Sequence, residues 1–285
     1  MDYVGRFAPS PTGPLHYGSL VAAMASFLDA RHAGGKWLLR IEDLDPPRES
    51  IDAPREIIRQ LLALGLHWDL EVLCQSSRLK SYDDALESIQ AFTFPCTCSR
   101  KAVPDIYPGT CRLRKHLAPG GPYAVRLQVP RHSVSINDRC LGLKTWDLEK
   151  EVGDFIIKRK DGLHAYQLAV VVDDIHYSVN HIVRGNDLLD STPRQLALYE
   201  QLEVSPPEYL HIPVLVDESG NKLSKQAHAK PVDTSDALTT IRSALSDLGQ
   251  NTHEYSLSIK ELLEKAASSW NPATIPNVHD IYHRN

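Results

Sequence analysis

A hydrophobic segment from Tyr3 to Ala8 runs into a Pro/Gly loop, then a helical pattern from Ser19 to Ala33 closed by Gly34-Gly35, then a second apolar segment from Trp37 to Ile41. Strand, helix and strand in this order restrict the chain to a parallel pair joined by a right-handed crossover. The loop between the first strand and the helix holds His16, Gly18 and Ser19. Such a turn binds phosphate because the first helical turn has unpaired amides and the positive end of the helix dipole. His16 adds a side-chain donor, and Gly18 permits close approach of a ligand to the backbone.

The alternation continues. Asp52 to Leu64 reads as a helix with Pro54 in its first turn, and Ser77 to Phe92 as a further amphipathic helix. From Phe94 to about Leu148 the pattern changes to cysteines, prolines and short β-like runs such as Tyr123 to Val129, which reads as an insertion beside the sheet. The sheet pattern is expected to resume with Asp154 to Lys158. A helix from His164 to Val172, a strand from His181 to Arg184, a helix from Thr192 to Leu202 opened by Ser191, and a strand from Ile212 to Val216 follow. Two helical stretches, Ser235 to Leu248 and Ser258 to Trp270, precede a Pro/Asn/His-rich tail whose last fifteen or so residues are expected to be disordered. The expected organisation is an α/β Rossmann-type parallel-sheet core in two halves, 1–93 and 151–230. Between them lies an insertion, 94–150, and after them a short helical segment, 231–285.

The 285 residues suffice for a large core. A net charge of −5 argues against a general nucleic-acid coat protein, which needs excess Lys and Arg to displace counterions. A local basic face is still allowed, with Arg112, Arg114, Lys115 and His116 as one cluster and Lys158, Arg159 and Lys160 as another; solvated charge is the alternative for each. The first residues show no basic leader or apolar core, and the longest apolar runs are too short to span a bilayer, so the expectation is a cytoplasmic protein without a membrane partner. Five cysteines, an odd number in a large chain, do not form a disulfide framework.

Far from the first loop stands Lys222-Leu223-Ser224-Lys225 after a Glu218-Ser219-Gly220-Asn221 turn. Alone it reads equally as a solvated loop. Together with Arg6-Phe7-Ala8-Pro9-Ser10-Pro11-Thr12-Gly13-Pro14-Leu15-His16-Tyr17-Gly18-Ser19, it resembles the two signature motifs of class I aminoacyl-tRNA synthetases. Arg40-Ile41-Glu42-Asp43-Leu44-Asp45 adds a resemblance to the glutamyl branch. The form it resembles best is the stand-alone glutamyl-Q tRNA(Asp) synthetases, because the chain ends where a full-length glutamyl synthetase would continue into an anticodon-binding region. The His-Tyr-Gly-Ser wording, Asp45-Pro46-Pro47-Arg48-Glu49 and Leu223 point the same way.

That resemblance implies an ATP-dependent ligase that activates L-glutamate without tRNA and transfers it to queuosine at the wobble position of tRNA(Asp). A minimal glutamyl-tRNA synthetase and a non-catalytic tRNA-binding relative are the alternatives. Acyl-adenylate formation sets an already ionised carboxylate against the α-phosphorus of ATP, so the work is positional and electrostatic. His16, the amides near Gly18 and Ser19, Lys222, Lys225 and Mg2+ bound with ATP are the expected catalytic and nucleotide-binding groups. The resemblance assigns glutamate to Arg6, Phe7, Ala8, Pro9 and Ser10 in the first motif, with Glu42, Tyr166 and Arg184. Glu42 is the natural partner of the ammonium group and Arg184 of the side-chain carboxylate, since a guanidinium fork discriminates a carboxylate from an amide. Arg40, Glu42 and Asp43 could instead form a surface charge ladder, and Tyr166 could simply pack in the core. Val170 stands where many full-length glutamyl enzymes have Asn, which predicts a looser amino-acid pocket. A monomer is the simplest expectation.

Cys96, Cys98 and Cys111 offer three thiolates in one short segment, consistent with a structural Zn2+ site, with three reduced buried cysteines as the alternative. Tyr107, His116, His132 and Cys140 are all available as a fourth ligand. The resemblance picks Tyr107, in Tyr107-Pro108-Gly109-Thr110-Cys111.

Overall fold

The computed structural model describes residues 2–99, 101, 103–114, 120–216, 231–255, 258–278 and 280–282. Numbered along the chain, the elements begin with β1 (Val4–Phe7), α1 (Tyr17–His32), β2 (Lys36–Ile41), α2 (Ala53–Ala63), β3 (Leu73–Cys74) and α3 (Leu79–Ser88). Next come β4 (Thr93–Cys96), β5 (Ala124–Leu127), β6 (Ser133–Asp138), β7 (Gly142–Asp147) and β8 (Phe155–Lys158). The rest are α4 (Tyr166–His176), β9 (His181–Gly185), α5 (Thr192–Gln201), β10 (Glu208–Ile212), β11 (Val214–Val216), α6 (Ala237–Asp247), α7 (Ile259–Ser268) and β12 (Asp280–Tyr282).

The α/β class and the parallel sheet are as the alternation predicts. β1 pairs in parallel with β2, and β2 with β3. On its other side β1 lies against β9, which pairs in parallel with β10. Asn180 ties this seam: its amide donates to the Val4 carbonyl at 3.0 Å, and its side-chain oxygen accepts from the Val4 amide at 2.8 Å. α1 is apolar around most of its circumference because the sheet covers one side and α6 and α7 the other; Leu20, Met24 and Leu28 are fully buried. Caps fix the outer helices. Asp236 accepts from the Thr239 amide at the start of α6 and Ser258 from the Glu261 amide at the start of α7, each contributing about 1 kcal/mol.

Several boundaries differ from the sequence expectation for local reasons. α1 begins at Tyr17 rather than Ser19 because the His16 ring itself caps the helix. The expected helix from Ser77 to Phe92 is α3 flanked by 3-10 turns at Gln75–Arg78 and Gln90–Phe92. The strand expected from Ile212 becomes two, since Pro213 has no N–H to continue the ladder; β10 ends and β11 begins on either side of it. β8 does not extend the parallel sheet. It pairs antiparallel with β5, which pairs antiparallel with β4. The tail is also ordered where described, with β12 adding in parallel to β11. Ser191 does precede α5, but its hydroxyl accepts from Gln167 rather than capping the helix.

The β6–β7 hairpin reaches back to the core through adjacent residues of its turn. Asp138 bonds the backbone and ring of His211 on β10, and Arg139 bonds both oxygens of the buried Asp29 on α1 at 2.6 and 2.8 Å. Tyr3 and Trp270 also donate to Asp29, so one carboxylate fastens the sheet, the hairpin and the C-terminal segment together.

Candidate functional site

A cleft of about 480 Å3 opens at the C-terminal ends of β1, β2 and β9, where open parallel sheets bind ligands. Arg6, Phe7, Ala8, Pro9, Ser10, His16, Gly18, Ser19, Glu42, Tyr166 and Arg184 all line it. Residues separated by up to 178 positions in the chain therefore share one concavity. Lys222 and Lys225 lie outside the described residues. The chain on both sides of that stretch borders the cleft: Val214 and Leu215 line it, Pro231 forms a β-bridge with His16, and the Val232 amide donates to the Leu15 carbonyl.

His16 Nδ1 accepts the Ser19 amide at 3.2 Å, and Nε2 lies 2.8 Å from the Ser19 hydroxyl. The Ser19 amide is thus capped by the His16 ring. The ring must carry its proton on Nε2 to leave Nδ1 as acceptor. Tyr166, at the first position of α4, has its hydroxyl pushed above the usual phenol range by burial and by the charge of Glu42. Val170 is fully buried on the same helix and is not among the cleft-lining residues, so the missing polar group acts through no direct contact.

Beneath the cleft floor lies a buried charge cluster. Arg40 reaches Asp174 at 2.6 Å and Glu42 at 3.2 Å, with Asp173 at 4.0 Å, and Arg6 Nε reaches Asp174 at 3.3 Å. Asp173 also takes Arg78 at 2.6 Å, Gln75 at 2.8 Å and the Tyr82 hydroxyl at 2.9 Å. The side chains of Arg40 and Glu42 are 3% and 7% exposed, which excludes a surface ladder; only Asp43, bonded to Ser76, is on the outside. Burial opposes the charge on Asp174, but Arg40 and Arg6 outweigh it and hold the carboxyl below its usual range. Burial pushes Glu42 up despite the same two arginines. Sequence reading missed Asp173, Asp174 and Arg78. Two acids directly after the apolar run Leu168 to Val172 were the available signal, since buried carboxylates demand cations.

Arg184, 4% exposed, is held differently. Its Nε donates to His211 Nε2 at 3.0 Å, NH1 to Gln195 Oε1 at 2.8 Å and NH2 to the Thr192 hydroxyl at 2.9 Å. All three acceptors are neutral, and no described carboxylate hydrogen-bonds this guanidinium. A Cβ at Gly185 beside it would sit 2.4 Å from Asp187 Oδ1, so a side chain there would displace the Asp187 carboxylate.

The three cysteine sulfurs Cys96, Cys98 and Cys111 lie within 4.8 Å of one another, and this cluster could hold a metal. Cys98 and Cys111 sulfurs are 3.6 Å apart, near the separation of about 3.8 Å that tetrahedral ligands at 2.3 Å from zinc would have. The Tyr107 hydroxyl lies 3.7 Å from Cys96 and 3.9 Å from Cys98 and accepts the Cys111 amide at 2.8 Å. Burial raises the Cys111 thiol, but the Tyr107 hydroxyl and the Thr97 backbone outweigh it and bring it down to about 7. Burial pushes the Tyr107 hydroxyl up, so a phenolate there would need the metal's charge. The four donors fit a closed structural site.

The charges proposed for a basic face are largely neutralised. Arg112 pairs with Asp154, Lys158 with Asp83, and Arg159 with Asp45 and Asp161, while Lys160 donates to the Thr97 carbonyl. Lys115 and His116 lie outside the described residues. Among the described residues no helix is long and apolar enough to cross a membrane.

Comparison with known proteins gives one answer. The family described as tRNA synthetases class I (E and Q), catalytic domain, matches residues 3–103 and 110–266. The glutamyl-Q tRNA(Asp) synthetase of Pseudomonas putida is 48% identical over 281 residues, 96% of this chain and 93% of that one. Its Pseudomonas fluorescens counterpart is 46% identical over 287 residues, 98% and 96% of the two chains. The crystal structure of glutamate-tRNA synthetase from Elizabethkingia anophelis superposes with a TM-score of 0.82 at 23% identity, over 98% of this chain and 67% of that one. That last likeness concerns the fold.

Proposed function

From the premise that the chain belongs to the class I (E and Q) tRNA synthetases, and within them to the glutamyl-Q tRNA(Asp) synthetases, we propose that it converts L-glutamate and ATP to glutamyl-adenylate and then esterifies queuosine in tRNA(Asp). The chain is an ATP-dependent ligase of the glutamate-tRNA ligase kind.

The observation that carries the choice of amino acid is the charge balance of the cleft. Arg6, Arg40 and Arg78 are matched by Glu42, Asp173 and Asp174, so that cluster suits a zwitterionic amino acid of no net charge. Arg184, by contrast, hydrogen-bonds only neutral acceptors among the described residues. A buried guanidinium in that state gains most from a carboxylate, and glutamate brings one beyond its zwitterion. Glutamine would leave the charge unmatched and set its amide N–H groups against guanidinium donors. Glu42, lifted by burial, would be drawn back toward the ionised form by the substrate's ammonium group.

Adenylation then follows from placement. With its side-chain carboxylate on Arg184 and its ammonium group near Glu42, glutamate directs its α-carboxylate toward the start of α1, where His16 and the helix dipole face the phosphates. The carboxylate oxygen attacks the α-phosphorus, pyrophosphate leaves, and no protein group need accept a proton. Lys222 and Lys225 would supply cations for the leaving phosphates, a role supported by the flanking contacts of Pro231 and Val232 with the His16 loop. Mg2+, arriving with ATP, would neutralise phosphate charge. Zn2+ on Cys96, Cys98, Cys111 and Tyr107 would fold the segment around it.

The test supplies ATP and labelled glutamate with tRNA(Asp) carrying queuosine, tRNA(Asp) lacking it, or tRNA(Glu). Label on the first alone, with ATP–pyrophosphate exchange before any tRNA is added, is the expected outcome. Label on tRNA(Glu) would make this a minimal glutamyl-tRNA synthetase, and no exchange would make it a non-catalytic relative.

A further inference from the structure

Arg184 and His211 are register partners on the parallel strands β9 and β10, so their side chains leave the same face of the sheet. Arginine can only donate, and its Nε points at His211 Nε2, which must therefore be the acceptor nitrogen. The ring proton then belongs on Nδ1, 2.6 Å from Asp138 Oδ2. Both His211 and the Asp138 side chain are fully buried. Asp138 is fixed in turn: its Oδ1 accepts the Cys140 and Leu141 amides at 3.0 and 2.9 Å, and the carboxylate takes the His211 amide at 3.1 Å. The far end of this relay sits on the β6–β7 hairpin, outside the sheet that carries the cleft.

Resting on the glutamate reading above, we propose that Asp138 and His211 are positioning residues for Arg184: the hairpin carboxylate sets the histidine tautomer, and the tautomer aims the guanidinium fork at the substrate's side-chain carboxylate. The choice of groups explains why the relay works without discharging Arg184. A neutral imidazole accepts from the guanidinium while the negative charge stays one ring farther away on Asp138. A carboxylate in the place of His211 would satisfy Arg184 outright and compete with the substrate. Gln195 and Thr192, on the first turn of α5, follow the same rule by offering neutral oxygens. The hairpin thereby becomes a determinant of amino-acid selection although it does not touch the cleft.

Asp138→Asn keeps the shape but reverses the relay. Its amide N–H would donate to His211 Nδ1, moving the ring proton to Nε2, where it opposes the Arg184 Nε–H. In the full-length protein the expected result is a rise of about tenfold to a hundredfold in the glutamate KM of ATP–pyrophosphate exchange, the range for losing a hydrogen bond to a charged group. The ATP KM stays near wild type, and the preference for glutamate over glutamine falls with the glutamate KM. Arg139→Gln loosens the same hairpin turn at Asp29 without touching the relay and is expected to leave both KM values near wild type. An equal rise in Arg139→Gln, or an unchanged glutamate KM in folded Asp138→Asn, would overturn the positioning role. Should Asp138→Asn fail to fold, nitrogen-15 spectra of wild-type histidines decide: a buried neutral ring protonated on Nδ1 supports the relay, and its absence overturns it. Wild-type protein without glutamate-dependent exchange would remove the glutamate reading itself, a result distinct from a normal wild type and an insensitive variant.

Discussion

Two sets of buried arginines serve one cleft and differ in what balances them. Arg6, Arg40 and Arg78 are matched by carboxylates from α4 and from the end of β2, whereas Arg184 rests on an imidazole, an amide and a hydroxyl. The first set is matched in charge by the fold and belongs to the architecture. The second gives one N–H from each of its three nitrogens to a neutral acceptor and keeps two of its five donors, which suits a group that meets an anion. Arg40 Nε and Asp174 Oδ2 are buried without a hydrogen-bond partner, so it is the sign of the partners rather than the number of hydrogen bonds that marks the first set as paired.

The contrast breaks first at Asp174. Asp174→Ala removes the carboxylate paired with Arg6 and the nearest partner of Arg40, and the expected loss is about 3–5 kcal/mol of stability in urea unfolding, not recovered by adding glutamate. A loss below about 1 kcal/mol, the range of a surface pair, would show that the cluster is solvated after all. Next comes Arg184→Lys, which keeps the charge and loses the planar fork. The glutamate KM is expected to rise about tenfold to a hundredfold with the urea midpoint near wild type. If stability fell as far as in Asp174→Ala, Arg184 would belong with the architectural set.

A smaller effect is expected from the cysteine cluster, remote from both sets. Metal analysis of gently purified protein should find zinc; its removal by a chelator should open the segment around Cys98 to protease while glutamate activation stays within about twofold, as for a metal that only folds its surroundings. Loss of activation in step with zinc would tie the cluster to the cleft. The smallest and most gradual signal is acid sensitivity. Asp174 and Asp29 are both held below the ordinary carboxylate range. Their contribution is therefore complete above the unfolded value near pH 4 and is lost as pH falls through their depressed folded values. Stability that rose on acidification through that window would contradict the pairing.

Much of the site was legible because its residues sit in short stretches with their own local logic. Arg6 to Ser10 ends a strand, His16 to Ser19 starts a helix, and Glu42 closes the next strand, so the βαβ rule alone brings them to one edge. The assignment of Arg6 to Ser10 and Glu42 to glutamate, together with that of Tyr166 and Arg184, came through a resemblance of motifs. The insertion was harder to read. Its β-like runs could be noticed, but β8 looked like a return to the parallel sheet and instead pairs antiparallel with β5, since a four-residue strand carries no mark of its neighbour's direction. The tail, rich in Pro and Asn, looked unstructured and yet contributes β12, because β11 offers an open edge that no local pattern announces.

The sequence by itself determined where strands and helices alternate, which loop between strand and helix borders the cleft and which three thiols gather, since these follow from spacing along one continuous stretch. Only the tertiary structure decided that Arg184 meets neutral hydrogen-bond acceptors rather than carboxylates. That property depends on Asp138, Gln195 and His211 arriving from a hairpin, a helix and a strand, and whether a charge is balanced is fixed by distance through space rather than by order in the chain.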